Sequence, residues 1–374
     1  MPLRAILAAL LLGLVGLASA NPYPSQLYSL QLTTLARGLN HPWSLAFLPD
    51  RRMLLTERAG RLRLLDAQGR LDPQPVSGVP AVVAVGQGGL FDVLPHPRFA
   101  DNHLIYLSYA GGTPESSSTE IARARLDGHA LRELTVIFRQ LPRSDSDHHY
   151  GGRLLFDRAG KLYLSLGDRG EDARAQRHND HAGSVIRLND DGSVPPDNPW
   201  VGHPGWKPEK FTLGHRNQQG MALNPRTGAV WTHEHGPQGG DEVNVIRAGA
   251  NYGWPVITYG KTYGLGLPIG EGTHKAGMEQ PLKVWVPSIA PSGMAFYQGK
   301  PFARWQGDLL IGALKDQMLV RLKLDGDKVV AEERMLKGVL GRIRDVRVGP
   351  DGLVYLLTDE DDGKLVRVSP AASR

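Results

Sequence analysis

One pattern returns six times along this chain: a short apolar strand, a turn built on Asp, Pro or Gly, then a second apolar strand. It is spelled WSLAFLPDRRMLLTER (43–58), GGLFDVLPHPRFADNHLIYLSY (88–109), GGRLLFDRAGKLYLSLGD (151–168), QGMALNPRTGAVWTHE (219–234), SGMAFYQGKPFARWQGDLLIGAL (292–314) and RDVRVGPDGLVYLLTDE (344–360). A third strand follows in several copies, as RLRLLD (61–66), MLVRLKLD (318–325) and KLVRVS (364–369). Strands and turns in succession, with no long helix between them, make an antiparallel meander. Its repetition predicts an all-β fold, a six-bladed β-propeller of four-stranded antiparallel blades. Uneven spacing between copies is accounted for by inserted loops. A sandwich of two sheets is the competing all-β reading, but it does not need six similar hairpins.

Composition narrows this picture. A length of 374 residues is long for one core, yet within reach of a repeat architecture. The 45 Gly and 27 Pro suit many tight turns. Residues 1–20 have the form of a signal peptide. Arg4 supplies the positive start, Ala5 to Leu17 the apolar run, and Ala18-Ser19-Ala20 the cleavage site. Cleavage after Ala20 leaves residues 21–374 as a single propeller domain. The apolar run is short for a retained anchor and ends on small residues. No later stretch is long and apolar enough to span a bilayer, so stable membrane insertion is not expected. With no Cys, disulfides, thiolate catalysis and iron–sulfur clusters are excluded. The net charge of +5 comes from dispersed Lys and Arg, which argues against a nucleic-acid partner. It suits a polyanion bound at one local site.

In a propeller, the loops on one face crowd around the mouth of a central channel. The polar segments between strands are therefore the candidates for chemistry. Gly86-Gln87-Gly88-Gly89 joins close-approach glycines to an amide that donates and accepts. Ser144-Asp145-Ser146-Asp147-His148-His149-Tyr150-Gly151-Gly152-Arg153 places two histidines ahead of a strand. Asp168 ends the partner strand, where antiparallel pairing brings a carboxylate toward an imidazole and sets its tautomer. Spacing alone does not separate this from a surface histidine pair. In GHRNQQG, Arg216 and Asn217 suit an anion or a polarised carbonyl, or an ion pair with a nearby acid. His233-Glu234-His235 invites a zinc reading but lacks third and fourth ligands. The following Gly236-Pro237 turn, with Asp241 and Glu242, offers hard oxygens better suited to Ca²⁺, or only a solvated turn. Ala313-Leu314-Lys315 and Arg342-Ile343-Arg344 add three cations in two inter-strand segments, with Arg342 and Arg344 on the same side of an extended strand. Such a cluster suits a polycarboxylate, although lone surface cations are usually only solvated.

Together, DHHYGGR, GHRNQQG, EHGPQGGDE with NYGWP, GALK and RIRDVRVGPDG resemble, in this order, the soluble quinoprotein sugar dehydrogenases, and among them the periplasmic aldose sugar dehydrogenases. The likeness runs from about Leu35 to Val368. It implies a six-bladed propeller, pyrroloquinoline quinone and Ca²⁺ as cofactors, aldose substrates, an external electron acceptor and a periplasmic location. It implies His149, rather than His148, as general base, because Gly152-Arg153 sets the register. Asp168 becomes the partner of that base, and Gln87 a group near cofactor and sugar. The same likeness places Arg216 and Asn217 on the quinone carbonyls and Tyr263 against the cofactor. It makes the Gly236 and Pro237 carbonyls ligands of the cofactor-bridging Ca²⁺, and Glu242 and Tyr252 ligands of a second Ca²⁺. Lys315, Arg342 and Arg344, with the flanking Ala313, Leu314 and Ile343, surround the cofactor's carboxylates. The residue before the base is usually acidic in the glucose-oxidising branch and is His148 here, which implies a broad aldose range. The loops are shorter than in that branch, so its dimer contacts need not carry over, and monomer and dimer both stay open. The alternatives are a Ca²⁺-dependent propeller lactonase or esterase, and a non-catalytic binding propeller. The first needs a ring of Asn, Asp and Glu in the channel, which the sequence does not assemble. The second leaves the cation cluster without an anion.

Overall fold

The computed structural model describes residues 21–372. The expected signal peptide, residues 1–20, lies outside the described residues. Six antiparallel sheets follow one another along the chain. The first blade holds Pro42–Phe47, Met53–Glu57 and Arg61–Leu65. The second holds Leu90–Pro95, Leu104–Thr113, Ser116–Asp127 and Ala130–Arg139. The third holds Leu154–Phe156, Leu162–Leu166 and Ser184–Leu188. The fourth holds Gln218–Leu223, Val230–Glu234, Asp241–Val245 and Lys283–Trp285. The fifth holds Pro291–Phe296, Leu309–Ala313, Met318–Asp325 and Lys328–Met335. The sixth holds Ile343–Val348, Val354–Thr358 and Gly363–Pro370.

The first strand of each blade lies beside the first strand of the next, and the ring closes from the sixth blade to the first. Each of the six hairpins predicted from the sequence is the inner half of one blade. Strand number varies around the ring. In the first and third blades the outermost strand is reduced to isolated bridges, Leu62 with Val76 and Ile186 with Lys210. In the sixth, Ser29–Leu39 from the chain start pairs with Gly363–Pro370, and the two-residue strand Tyr23–Pro24 pairs beyond it. The ring is thus closed by hydrogen bonds between the two ends of the chain. The hairpin pattern did not reveal this strand, because its partner lies at the other end of the sequence.

Burial explains the pattern from which the hairpins were read. The second strands MLLTE, LYLSL, VWTHE, LLIGA and VYLLT are buried at every position. Each is covered on both faces by neighbouring blades, so it reads as a continuous apolar run. An outer strand such as Lys328–Met335 has exposed positions and reads as mixed. The hydrophobic clusters lie between blades; one joins Leu54 and Leu64 of the first blade to Val93, Ile105 and Leu107 of the second.

Five of the six innermost strands change register at the same end. The shifts fall between Pro42 and Ser44, Leu90 and Val93, Gln218 and Gly220, Pro291 and Met294, and Ile343 and Asp345. A bulge frees a residue from the ladder and re-aims its side chain. The residues freed here include Trp43, Phe91, Gln219 and Arg344, all of which line one cleft at the channel mouth.

Candidate active site

That cleft encloses about 700 Å³ including its open mouth, and is lined by Trp43, Arg58, Gln87, Tyr150, Asn217, Gln219 and His235, with Leu314, Arg342, Arg344 and Asp359. Its lining comes from the loops entering the innermost strands, the shifted first residues of those strands and the turns leaving the second strands. The buried Arg153 guanidinium lies 4.2 Å from the centre of the Trp43 ring and pairs with Asp345 at 3.2 Å and Asp92 at 3.5 Å.

His149 stands at the rim, beside Gln87 and Gly151. Its Nδ1 lies 2.6 Å from Asp168 Oδ1, with the imidazole 12% exposed and the carboxylate fully buried. The pairing Leu154 opposite Leu164 runs on toward this contact, as the antiparallel reading expects. Asp168 is itself held: Trp254 donates its indole N–H to Oδ2 at 2.7 Å, and the Gly170 amide donates to Oδ1 at 2.8 Å. The His149 amide donates to Gln87 Oε1 at 2.9 Å. With an acceptor against Nδ1, the neutral ring keeps its proton there and turns the Nε2 lone pair outward. His149 has φ 51°, a conformation costly for a residue with a Cβ. The close approach beneath it requires Gly167, where an added Cβ would sit 2.1 Å from the His149 carbonyl oxygen. His148, by contrast, is exposed and pairs with Asp147.

The cations gather on the opposite wall. Arg344 donates to Asp359 Oδ2 at 2.7 Å and to Gln219 Oε1 at 3.1 Å, and Arg342 reaches the same Asp359 oxygen at 3.3 Å. The two arginines converge as expected, although a bulge rather than plain alternation arranges it. His41 Nδ1 contacts Asp359 Oδ1 at 2.9 Å. Burial pushes the Asp359 carboxyl up, but Arg344, His41 and Arg342 outweigh it and hold the group well below the usual carboxylate range. Leu314 lines the cleft, and Lys315 beside it is exposed. Ala313 and Ile343 are packed in the core, so only their main chain is open to a ligand. Tyr263 is 67% exposed on a projecting loop and does not line the cleft.

Arg216 and the Gly236 turn line a separate, small cavity that shares His235 with the cleft. Arg216 Nη1 donates to the Gly236 carbonyl at 2.9 Å, and its guanidinium lies 5.3 Å from the Trp254 ring. Asn217 Oδ1 accepts from the Gly151 amide at 3.2 Å, tying this segment to the His149 loop. The same small cavity is lined by Glu234, Gly236, Gly240, Glu242, Tyr252 and Thr258. Glu234 and Glu242 sit directly opposite each other on paired strands. Burial, and then the Glu234 charge, push the Glu242 carboxyl up to about 8. Among the described residues no three His, Cys, Asp or Glu side chains are grouped as ligands, so a cation here needs main-chain oxygens as well. The donor set fits a hard cation: two crowded carboxylates lie near carbonyls that retain free lone pairs. The Tyr252 hydroxyl is already engaged, donating to the Val245 carbonyl at 2.5 Å, so any ligation by Tyr252 falls to its carbonyl. His235 Nε2 contacts the Pro291 carbonyl at 2.6 Å, and burial lowers this imidazole to about 3.

Of the expected residues, Gln87, Asn217, Leu314, Arg342 and Arg344 line the cleft; His149, with its partner Asp168, adjoins it next to the lining residues Tyr150 and Gly151, and Arg216 lines the small cavity, which shares His235 with the cleft. Sequence reasoning missed Trp43, Arg58, Gln219, His235, Trp254 and Asp359 as site residues. One signal was present for Asp359: like Glu57, Asp168 and Glu234, it lies at the end of a buried second strand. The bulge residues had none, since nothing in the spelling marks where a register slips.

A closed six-bladed propeller, with a carboxylate-held histidine and a cation-lined cleft at one mouth, defines a class of channel-mouth propeller proteins. The chain belongs to the Glucose / Sorbosone dehydrogenase family, whose model matches residues 39–367. It is 46% identical over 337 residues to the aldose sugar dehydrogenase YliI of Escherichia coli, covering 89% of this chain and 91% of that protein. The crystal structure of the soluble Escherichia coli aldose sugar dehydrogenase in its apo form superposes with a TM-score of 0.89 at 44% identity, over 92% of this chain and 100% of that one. The PQQ-bound aldose sugar dehydrogenase of Streptomyces coelicolor gives a TM-score of 0.75 at 28% identity, over 94% and 100%. Among the described residues no helix is long and apolar enough to cross a membrane.

Proposed function

We propose that this protein is a quinoprotein sugar dehydrogenase that oxidises the C1 hydroxyl of aldoses to lactones, with His149 as the general base. The observation that carries the reading is the His149–Asp168 pair, set next to the Tyr150–Gly151 segment that lines the same cleft as Arg342 and Arg344. Family membership and the PQQ-bound relative support the cofactor. Pyrroloquinoline quinone, when bound, supplies the two-electron sink that the protein's own side chains lack. Arg344, Arg342 and Lys315 would hold its carboxylates, and Arg216 and Asn217 its carbonyl edge.

The remaining work falls to this chain's residues. His149 accepts the C1 hydroxyl proton at Nε2, because Nδ1 is engaged with Asp168. The carboxylate favours the imidazolium that results and fixes the ring plane. Trp254 and the Gly170 amide keep Asp168 in place, so no reorganisation is needed at the moment of transfer. Arg216 aims a fixed positive charge into the site. The carbonyls of Gly236 and Pro237 would hold one Ca²⁺, which would supply Lewis-acid charge at the site, and Glu242 with the Tyr252 carbonyl would hold a second. The signal-peptide form of residues 1–20 supports action in the periplasm.

The test is reconstitution. Purified apoprotein with Ca²⁺ and pyrroloquinoline quinone is expected to reduce an artificial dye when aldoses are supplied. Failure across a panel of aldoses, with cofactor shown to be bound, overturns the reading.

A further inference from the structure

We propose that Arg169 is a positioning residue for the base loop: its guanidinium clamps the main chain on both sides of Asp147 and so presents His149 to Asp168. The proposal rests on the reading of His149 as the base.

Arg169 is fully buried, yet it forms no ion pair among the described residues. Its terminal donors go to neutral partners, Nη1 to the His148 carbonyl and Nη2 to the Ser146 carbonyl and to Ser117 Oγ at 3.2 Å, while Nε has no partner among the described residues. Its guanidinium carbon lies 3.4 Å from the centre of the Tyr150 ring. Three of these four contacts fall on residues 146–150, the loop that carries the base. Burying an arginine without a carboxylate is unfavourable unless its donors are well placed. A planar fork that meets two carbonyls two residues apart fixes the chain between them in a way a point charge cannot.

The local backbone explains the need for such a clamp. His149 at φ 51° persists only if its surroundings over-determine it. Arg169 at φ 64° and Gly170 at φ 70° turn the chain back immediately after Asp168. That one turn holds the imidazole through the Asp168 carboxylate and holds its main chain through the Arg169 guanidinium.

Two variants and three readouts test this. Arg169→Lys keeps the charge and removes the fork, while Arg169→Ala leaves space for an added guanidinium. In the cofactor-free protein, the short Nδ1–H···Oδ1 hydrogen bond of His149 is expected to give a far-downfield proton resonance, lost in both variants. In the reconstituted protein, kcat is expected to fall about tenfold to a hundredfold, as a misplaced reacting group demands. KM for the aldose and cofactor affinity stay within about twofold, because the cation wall and Arg216 are untouched. Methylguanidinium is expected to restore the resonance and part of kcat in Arg169→Ala. If that variant does not fold, Arg169→Lys decides. An unchanged resonance and kcat in Arg169→Lys, or cofactor affinity falling in step with kcat, overturns the proposal. If the wild-type protein binds cofactor but oxidises no aldose, the reading of the base fails, while the resonance still reports whether Arg169 sets the His149–Asp168 contact.

Discussion

At the scale of single residues, the two adjacent histidines have different surroundings. His149 sits against Asp168 with its outer nitrogen free, while His148 faces solvent beside Asp147. His149→Ala is expected to lower kcat about 10²- to 10⁴-fold while leaving cofactor affinity intact, measured by dye reduction and by cofactor titration. His148→Ala is expected to change the ranking of aldoses instead; the reverse pattern exchanges the two roles. Asp359 has a different signature. Its carboxyl is held low in the folded protein, so its pairing contributes stability above the unfolded carboxylate range and loses it as pH falls toward the folded value. Denaturant titrations of wild type and Asp359→Asn are therefore expected to differ at pH 7 and to converge as pH falls below about 4.

At the scale of elements, the site depends on how strands begin. Five inner strands open with a register shift, and those shifts deliver Trp43, Phe91, Gln219 and Arg344 to the cleft. The third blade uses a glycine pair instead. Gly152 has φ 100°, and an added Cβ would meet the Phe91 ring at 2.8 Å. Gly152→Ala is expected to cost about 1–3 kcal/mol in denaturant unfolding, with activity falling further than stability because the His149 loop is displaced. Equal activity and stability in the variant would show that the loop is set elsewhere.

At the scale of the whole molecule, closure joins two segments far apart in sequence, with Leu30 opposite Pro370 and Leu32 opposite Val368. Leu30 is fully buried in the cluster that also holds Leu356 and Val368. Leu30→Ala is expected to destabilise the propeller by about 2–5 kcal/mol, read from the unfolding midpoint, while cofactor affinity is kept, because Leu30 is packed in the blade core and does not line the cleft. An unchanged midpoint would mean that the closing strand contributes little to the ring.

The division between sequence and structure follows from what is local. The six hairpins were legible because both faces of each second strand are buried, which leaves an uninterrupted apolar run that no tertiary detail has to supply. Gln87, His149, Asp168, Arg216 and the cations at 342 and 344 were legible because channel-mouth residues fall at predictable strand ends and in motifs shared with a known family. Trp43, Gln219 and Arg169 were not. The first two reach the cleft only through register shifts, which depend on the neighbouring strand. Arg169 acts through two main-chain carbonyls, which every residue possesses and no spelling distinguishes. The closing strand was hidden for the same reason: its apolar positions have meaning only beside a partner brought in from the opposite end of the chain. Local burial and strand ends were written into the sequence; register, closure and the main-chain contacts around His149 were decided by the ring.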